Sequence, residues 1–308
     1  MVVPSLRMTR RARIASLATY VPPRVLTNAD LERMVETSDE WILQRTGIRE
    51  RHIVDPGVAT SDLAVEAARE AIARAGLTPD DIDFIVVGTT TPDMLFPSTA
   101  CLVQERLGAN HAWGYDLFAA CSGFTYALTT AAQLVSAGGS RHALVIGADV
   151  MSSIIDFENY VDGSGGGALC MPAGGSRKPA SADTVANRMH YVKQDGQAVF
   201  RFAVRNTEEA CRRILERNNI TPNEIDLLVS HQANRRIILS AAEKLGVPEE
   251  KIVINIERFG NTTAATIPLA LNDAVADKRL KRGDLLLMVS VGAGFTVGSL
   301  LLRWGLKE

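Results

Sequence analysis

The chain has 308 residues, 46% of them apolar and 22% charged, the balance of a globular enzyme of one large or two modest domains. A net charge of −2 gives no general affinity for nucleic acid or an anionic membrane, and no apolar run approaches the roughly 20 residues that span a bilayer. Arg7, Arg10, Arg11 and Arg13 have no signal-peptide core behind them. The four cysteines, at 101, 121, 170 and 211, lack metal-ligand spacing, so no metal is expected and a reducing, cytoplasmic setting fits.

Along the chain, residues 64–87 read as an amphipathic helix, a Thr78-Pro79 turn, an Ile82-Asp83 pair and a buried strand. A helix is expected from Ser98 to Leu107, with Cys101 in its core face. A short apolar run then leads into Asp116-Leu-Phe-Ala-Ala-Cys121-Ser-Gly-Phe-Thr-Tyr126, and an Ala-rich helix leads out through Leu134. A strand follows at Ala143–Ile146. Residues 161–196 are rich in Gly, Pro and Ser, long for a loop inside a compact domain, which marks function or mobility.

Residues 207–230 then repeat the pattern of 64–87 without a gap, at an offset of 143, with Thr221-Pro222 and Ile225-Asp226 in register. Cys211 falls on the apolar side of this second helix, beside Ile214 and Leu215. The repeat runs on: Cys121 opens one Ala-rich helix and Asn261 another, Thr262–Ala276, each followed by an apolar strand, Ala143–Ile146 and Leu285–Val289. Two related α/β halves follow, with strands buried between helix layers. Their boundaries are 1–160, carrying Cys121, and 197–308, carrying His231 and Asn261, with 161–196 as the excursion between. A pseudo-twofold relation brings the two helix starts together at the centre, and His231 ends its strand where Gly88 ends the matching one. All three residues therefore sit at strand ends or helix starts, where sites in open α/β sheets collect.

Cys121 lies at a strand-to-helix turn. The amino end of a helix favours an anion, so an easily formed thiolate is expected, with its own N–H available to an oxyanion. A cysteine beside two alanines also suits a small core position. His231 alone suits a hydrogen-bonded core histidine, and Asn261 alone a helix cap.

Together the segments resemble β-ketoacyl-acyl carrier protein synthase III, of the thiolase superfamily, from about Ile14 to Trp304. The resemblance is carried by Thr37-Ser-Asp-Glu-Trp41-Ile-Leu-Gln-Arg45-Thr-Gly-Ile-Arg-Glu-Arg51, the Cys121 segment, His231-Gln-Ala-Asn234, Phe259-Gly-Asn261-Thr and Gly292-Ala-Gly-Phe-Thr296. It implies a thiolase-like fold, two pseudo-symmetric α/β halves packed as a layered α-β-α-β-α sandwich. It implies that Cys121 takes an acyl group from acyl-CoA, and that His231 and Asn261 hold the enolate formed when malonyl-acyl carrier protein loses carbon dioxide. Backbone N–H groups of Cys121 and Ala293 would hold the second oxyanion, Gly292 and Gly294 allowing close approach. Trp41 and Arg45, with Thr37, would bind CoA. Arg201, Arg236 and Lys244 would dock the acidic carrier protein. Phe96 would close the acyl pocket of a partner in a homodimer. No cofactor beyond the acyl-CoA substrate is implied. A related polyketide or alkylquinolone-type synthase and a non-catalytic subunit of the same fold are the alternatives.

The chain departs from the pattern once. After Asp156-Phe-Glu-Asn-Tyr160 it passes directly to Val161-Asp-Gly-Ser-Gly-Gly-Gly167, where the family carries a buried strand and a glycine-rich turn. Either the sequence lacks residues of the natural chain or the deletion is real, and part of the CoA contact would go with them.

Overall fold

A computed structural model describes residues 11–157 and 168–306; the junction between Tyr160 and Val161 lies outside the described residues. The first half opens with an antiparallel pair, β1 (Val25–Thr27) and β2 (Glu50–His52), around the helices α1 (Asn28–Glu32) and α2 (Asp39–Thr46). Helix α3 (Thr60–Arg74) leads into β3 (Phe84–Gly88). Then follow α4 (Thr99–Leu107), β4 (Trp113–Leu117), α5 (Gly123–Ala137) and β5 (Ala143–Gly147). These three strands form a parallel sheet in the order β4-β3-β5.

The excursion is not a plain loop. It carries the paired strands β6 (Leu169–Cys170) and β7 (Lys193–Gln194), with the short helix α6 (Ala182–Ala186) between them. Backbone bonds from Ala173 to Met189 and from Val192 to Ile154 tie it down.

The second half runs α7 (Gly196–Arg217), β8 (Leu227–Ser230), α8 (Arg235–Leu245), α9 (Ile256–Phe259), α10 (Thr266–Ala276), β9 (Leu285–Gly292) and β10 (Thr296–Arg303). Its sheet has the order β10-β9-β8, with β8 parallel and β10 antiparallel to β9.

The repeated residues have repeated jobs. Thr78 and Thr221 each start a 3-10 turn, with hydroxyl and N–H both donated to the carboxylate three residues on, Asp81 and Glu224. The carboxylate caps the turn from its third residue, and the N–H of that residue returns to the Thr carbonyl oxygen. Asp83 accepts the N–H groups of Arg141 and His142 ahead of β5, and Asp226 accepts that of Leu285 at the start of β9. The Asp of each pair thus pins the strand that follows it, β3 or β8, to its neighbour.

Strand alternation sends side chains to two faces. Ile85 and Val87 pack outward against Val65 and Ile72 of α3 and Val103 of α4, whereas Phe84 and Val86 pack inward on Ala127 and Ala131 of α5. In the second sheet Leu228 and Leu287 face Cys211 of α7 and Ile238 of α8, and Leu227, Val229, Leu286 and Met288 face Ile267 and Leu271 of α10. Helices α5 and α10 are therefore the middle layer of an α-β-α-β-α sandwich. The close packing there requires glycine at Gly88, where a Cβ would stand 2.6 Å from the carbonyl carbon of Gly123. Cys211 is buried as expected, but Cys101 is exposed, because α4 turns that face to solvent.

The halves differ at one edge. β9 is flanked by both β8 and β10, whereas among the described residues β5 pairs only with β3. β5 borders a cavity of about 2410 Å³, whose lining includes Ala143–Gly147 and Leu300–Leu302 of β10.

Candidate active site

Cys121 sits in a short 3-10 turn, Ala120–Ser122, between β4 and α5. Ala120 has φ +48°, a left-handed conformation that costs an L-residue free energy and persists only where packing enforces it. Gly292, at the end of β9, lies so close that a Cβ there would stand 2.8 Å from the Cys121 nitrogen and 2.9 Å from the Ala119 oxygen. The Thr296 hydroxyl donates to that same Ala119 oxygen at 2.9 Å. The turn is thus gripped by the opposite half of the chain.

The expected easy thiolate is not what the surroundings give. Burial pushes the Cys121 thiol up to about 12, and the negative charge of Asp149 adds to the rise; a bond from its own backbone N–H works against both. Desolvation outweighs the helix end here, so Cys121 rests as a thiol.

His231 continues from β8, its N–H donating to the Val289 oxygen at 2.8 Å. Its ring is buried, and burial alone lowers its pKa to about 4, so it is neutral near pH 7 with one ring N–H. Nδ1 lies 2.7 Å from the Thr266 hydroxyl, which also lies 3.1 Å from the Thr263 oxygen.

Asn261 follows Gly260 and is exposed. Its Oδ1 accepts the Thr263 N–H at 3.0 Å, a local cap that leaves the amide NH₂ to point elsewhere. Cys121, His231 and Asn261 come from three distant segments and line the same cavity.

Trp41, Arg45 and Thr37 line it as well. Trp41 is half exposed, with the Arg45 guanidinium 5.9 Å from its ring centroid, an aromatic face and a fork of donors side by side. Asn234 joins this segment to the His231 loop: its amide donates to the Arg45 carbonyl at 2.7 Å and its Oδ1 accepts the Arg236 N–H at 2.9 Å. Gln232 is fully buried and bonds Ser230, Val253 and Asn255 backbone, so it is a scaffold residue.

Arg201 and Arg236 line the cavity, Arg236 lying 5.2 Å over Phe200. Lys244 does not line it and stands 3.8 Å from Glu208. Ala293 follows Gly292 and is half-buried. Phe96 and Leu95 are 84% and 83% exposed and project from the surface rather than into this cavity. Among the described residues no cluster of three His, Cys, Asp or Glu could hold a metal, and no helix is long and apolar enough to cross a membrane.

Sequence reasoning missed Asp149, just past β5. Its Oδ1 accepts from Thr89, Thr90 and Thr91, the shortest bond being 2.7 Å from the Thr90 N–H. Its Oδ2 accepts the Thr263 hydroxyl and, at 3.2 Å, the Ala264 N–H. Nothing local signals this, because the partners lie in two other segments.

Comparison with known proteins settles the family. Residues 115–187 match the model of 3-oxoacyl-[acyl-carrier-protein] synthase III, and residues 215–304 that of its C-terminal part. A β-ketoacyl-[acyl-carrier-protein] synthase III of Solibacter usitatus is 52% identical, covering 96% of this chain and 99% of its own. The chain belongs to the 3-oxoacyl-acyl carrier protein synthase III family.

Membership makes it an acyltransferase, a condensing enzyme that initiates fatty acid synthesis. The fold agrees. The synthase III of Aquifex aeolicus VF5 is similar with a TM-score of 0.85 and 40% identity over 95% of this chain and 99% of that one. A priming β-ketosynthase of the R1128 polyketide pathway is similar with 0.86 and 33%, over 98% and 99%. The alignment to the Solibacter relative spans 327 positions, yet 96% of 308 residues is about 296. About thirty positions therefore have no residue of this chain.

Proposed function

We propose that the protein condenses an acyl-CoA primer with malonyl-acyl carrier protein through an acyl group carried on Cys121. The observation that supports this best is the convergence of Cys121, a neutral His231 and the free amide of Asn261 on one cavity.

In the first half-reaction the Cys121 sulfur attacks the thioester carbonyl. The new S–C bond forms, the bond to CoA breaks, and the thiol proton leaves with CoA. Trp41 and Arg45 stack on and bridge the adenine and phosphate end of CoA, with Thr37 beside them. In the second, malonyl-carrier protein loses carbon dioxide and its carbonyl oxygen gains negative charge. The step requires the ring proton of His231 on Nε2, with Nδ1 accepting the Thr266 hydroxyl; when that hydroxyl instead donates to the Thr263 oxygen, Nδ1 carries the proton and Nε2 has none to give. The Nε2 N–H and the Asn261 amide hold the developing oxyanion. Such donors are worth about a hundredfold to a thousandfold in rate each. The enolate carbon then attacks the acyl-Cys121 carbonyl. Its oxyanion is held by the N–H groups of Cys121 and Ala293, and Cys121 departs and regains a proton.

Arg201 and Arg236 at the cavity rim receive the acidic carrier protein, with Lys244 further along α8. The exposed Leu95-Phe96 corner meets a second copy, where Phe96 closes the partner's acyl pocket; the active form is a cytoplasmic homodimer. Intact mass spectrometry with acetyl-CoA tests the first step. A one-acetyl adduct that disappears in Cys121→Ser supports the reading. Absence of an adduct with acetyl-CoA and with longer acyl-CoA primers refutes it.

A further inference from the structure

We propose that Asp149 is the positioning residue for Asn261, acting through Thr263 and so on the decarboxylation step, an inference that rests on the reading above. The two oxygens of this carboxylate serve different halves of the molecule. Oδ1 holds the Thr89-Thr90-Thr91 loop beyond β3. Oδ2 holds Thr263 and Ala264 in the loop before α10.

Thr263 is where that hold matters. It is β-branched, it has φ +48°, and a left-handed conformation at such a residue is unfavourable and persists only where its surroundings enforce it. Its hydroxyl is fixed on Asp149 and its N–H on Oδ1 of Asn261. The chain of contacts is therefore carboxylate, strained threonine, catalytic amide. Release of the first link lets Thr263 relax, turns its N–H away and frees the Asn261 side chain to rotate. Asp149 also lines the cavity, and its charge opposes thiolate formation at Cys121. The same side chain thus aids one half-reaction while restraining the nucleophile of the other.

The test is Asp149→Asn in the full chain, which keeps shape but replaces an acceptor of Thr263 with a donor or a neutral oxygen. Three rates are read: acetyl loading by intact mass, decarboxylation of malonyl-carrier protein, and iodoacetamide labelling of Cys121. The expected result is decarboxylation down about a hundredfold, the scale of losing one oxyanion donor, loading not slowed, and labelling faster. Thr263→Val should behave alike in decarboxylation, and Thr263→Ser should restore most of it. Combining Asp149→Asn with Asn261→Ala should cost no more than Asn261→Ala alone, as for residues acting through one another. Normal decarboxylation in Asp149→Asn overturns the proposal. So does a parallel fall of loading and decarboxylation, or full additivity with Asn261→Ala. If Asp149→Asn does not fold, Thr263→Val decides the matter by the same criteria. An unmutated protein that fails to load any acyl group would instead sink the condensing reading itself.

Discussion

Ala120 and Thr263 stand 143 residues apart in sequence and share the same backbone φ, +48°. One precedes Cys121 and the other follows Asn261 by two. Neither is glycine, so each half of the molecule holds a strained residue at the same point of its fold. The strain sits where the two halves meet, and the reactive groups are set out from it.

The buried thiol leads to the first prediction. With Cys121 at about 12 against an ordinary 9.0, its thiolate fraction at pH 8 is roughly a thousandfold below that of an unperturbed thiol. Iodoacetamide at pH 8 should label exposed Cys101 well before Cys121, as read by peptide mass mapping. Equal labelling would mean the site opens far more than the structure allows.

Asn261→Ala should still load acetyl from acetyl-CoA but decarboxylate malonyl-carrier protein about a hundredfold more slowly. Single-turnover assays of each half-reaction separate the two. A fall in loading alone would place the amide on the wrong step.

Thr266→Val removes the hydroxyl from Nδ1 of His231 and frees the ring to choose its tautomer. Decarboxylation should drop about a hundredfold, the lower end of what loss of one oxyanion donor costs, while Thr266→Ser stays near the parent rate. Tautomer assignment by nitrogen NMR of the imidazole is the direct check.

His231 also couples stability to pH. Its folded pKa is about 4 against 6.5 for an ordinary histidine. Between those values the unfolded chain binds a proton that the folded chain refuses. Its contribution is therefore present above about pH 6.5 and lost as pH falls towards 4, by roughly 3 kcal/mol in all. Urea denaturation at pH 7.5 and pH 5 should show the loss, and His231→Gln should shrink it.

The open side of β5 is a second lever on stability. Insertion of a strand-forming segment between Tyr160 and Val161 should raise the melting temperature by several degrees and slow amide exchange along Ala143–Gly147. Unchanged exchange there would mean that β5 needs no second neighbour.

Much of this was readable in advance because the repeat is local. Thr78-Pro79 and Thr221-Pro222 form the turns their spacing predicts, and the helices and strands around them follow from period alone. Cys121, His231 and Asn261 stood out because each lies at a junction between such elements. What escaped depended on distance. Asp149 meets residues 58 to 115 positions away, and the thiol's rise comes from burial that only the packed halves create. Cys101, expected in the core face of α4, lies one residue off the buried stripe of Ala100, Val103 and Leu107 and faces solvent. The copy is not perfect either: β4 at Trp113–Leu117 has the one-turn helix α9 at the corresponding place.

The packing at Gly88 says something about how a duplicated fold comes to have one active centre. Gly88 is the counterpart of His231, and it has no room for any side chain against Gly123. A second histidine at that position is sterically forbidden, however the surrounding loops change. Gly147 is closed in the same way by the backbone of Ala264, the counterpart of Cys121, whose oxygen a Cβ there would approach to 2.4 Å. The molecule has two symmetry-related places for chemistry and has filled one of them with its own main chain. Mutagenesis meant to evolve a twin site would have to part the middle layer before it could add a single functional group.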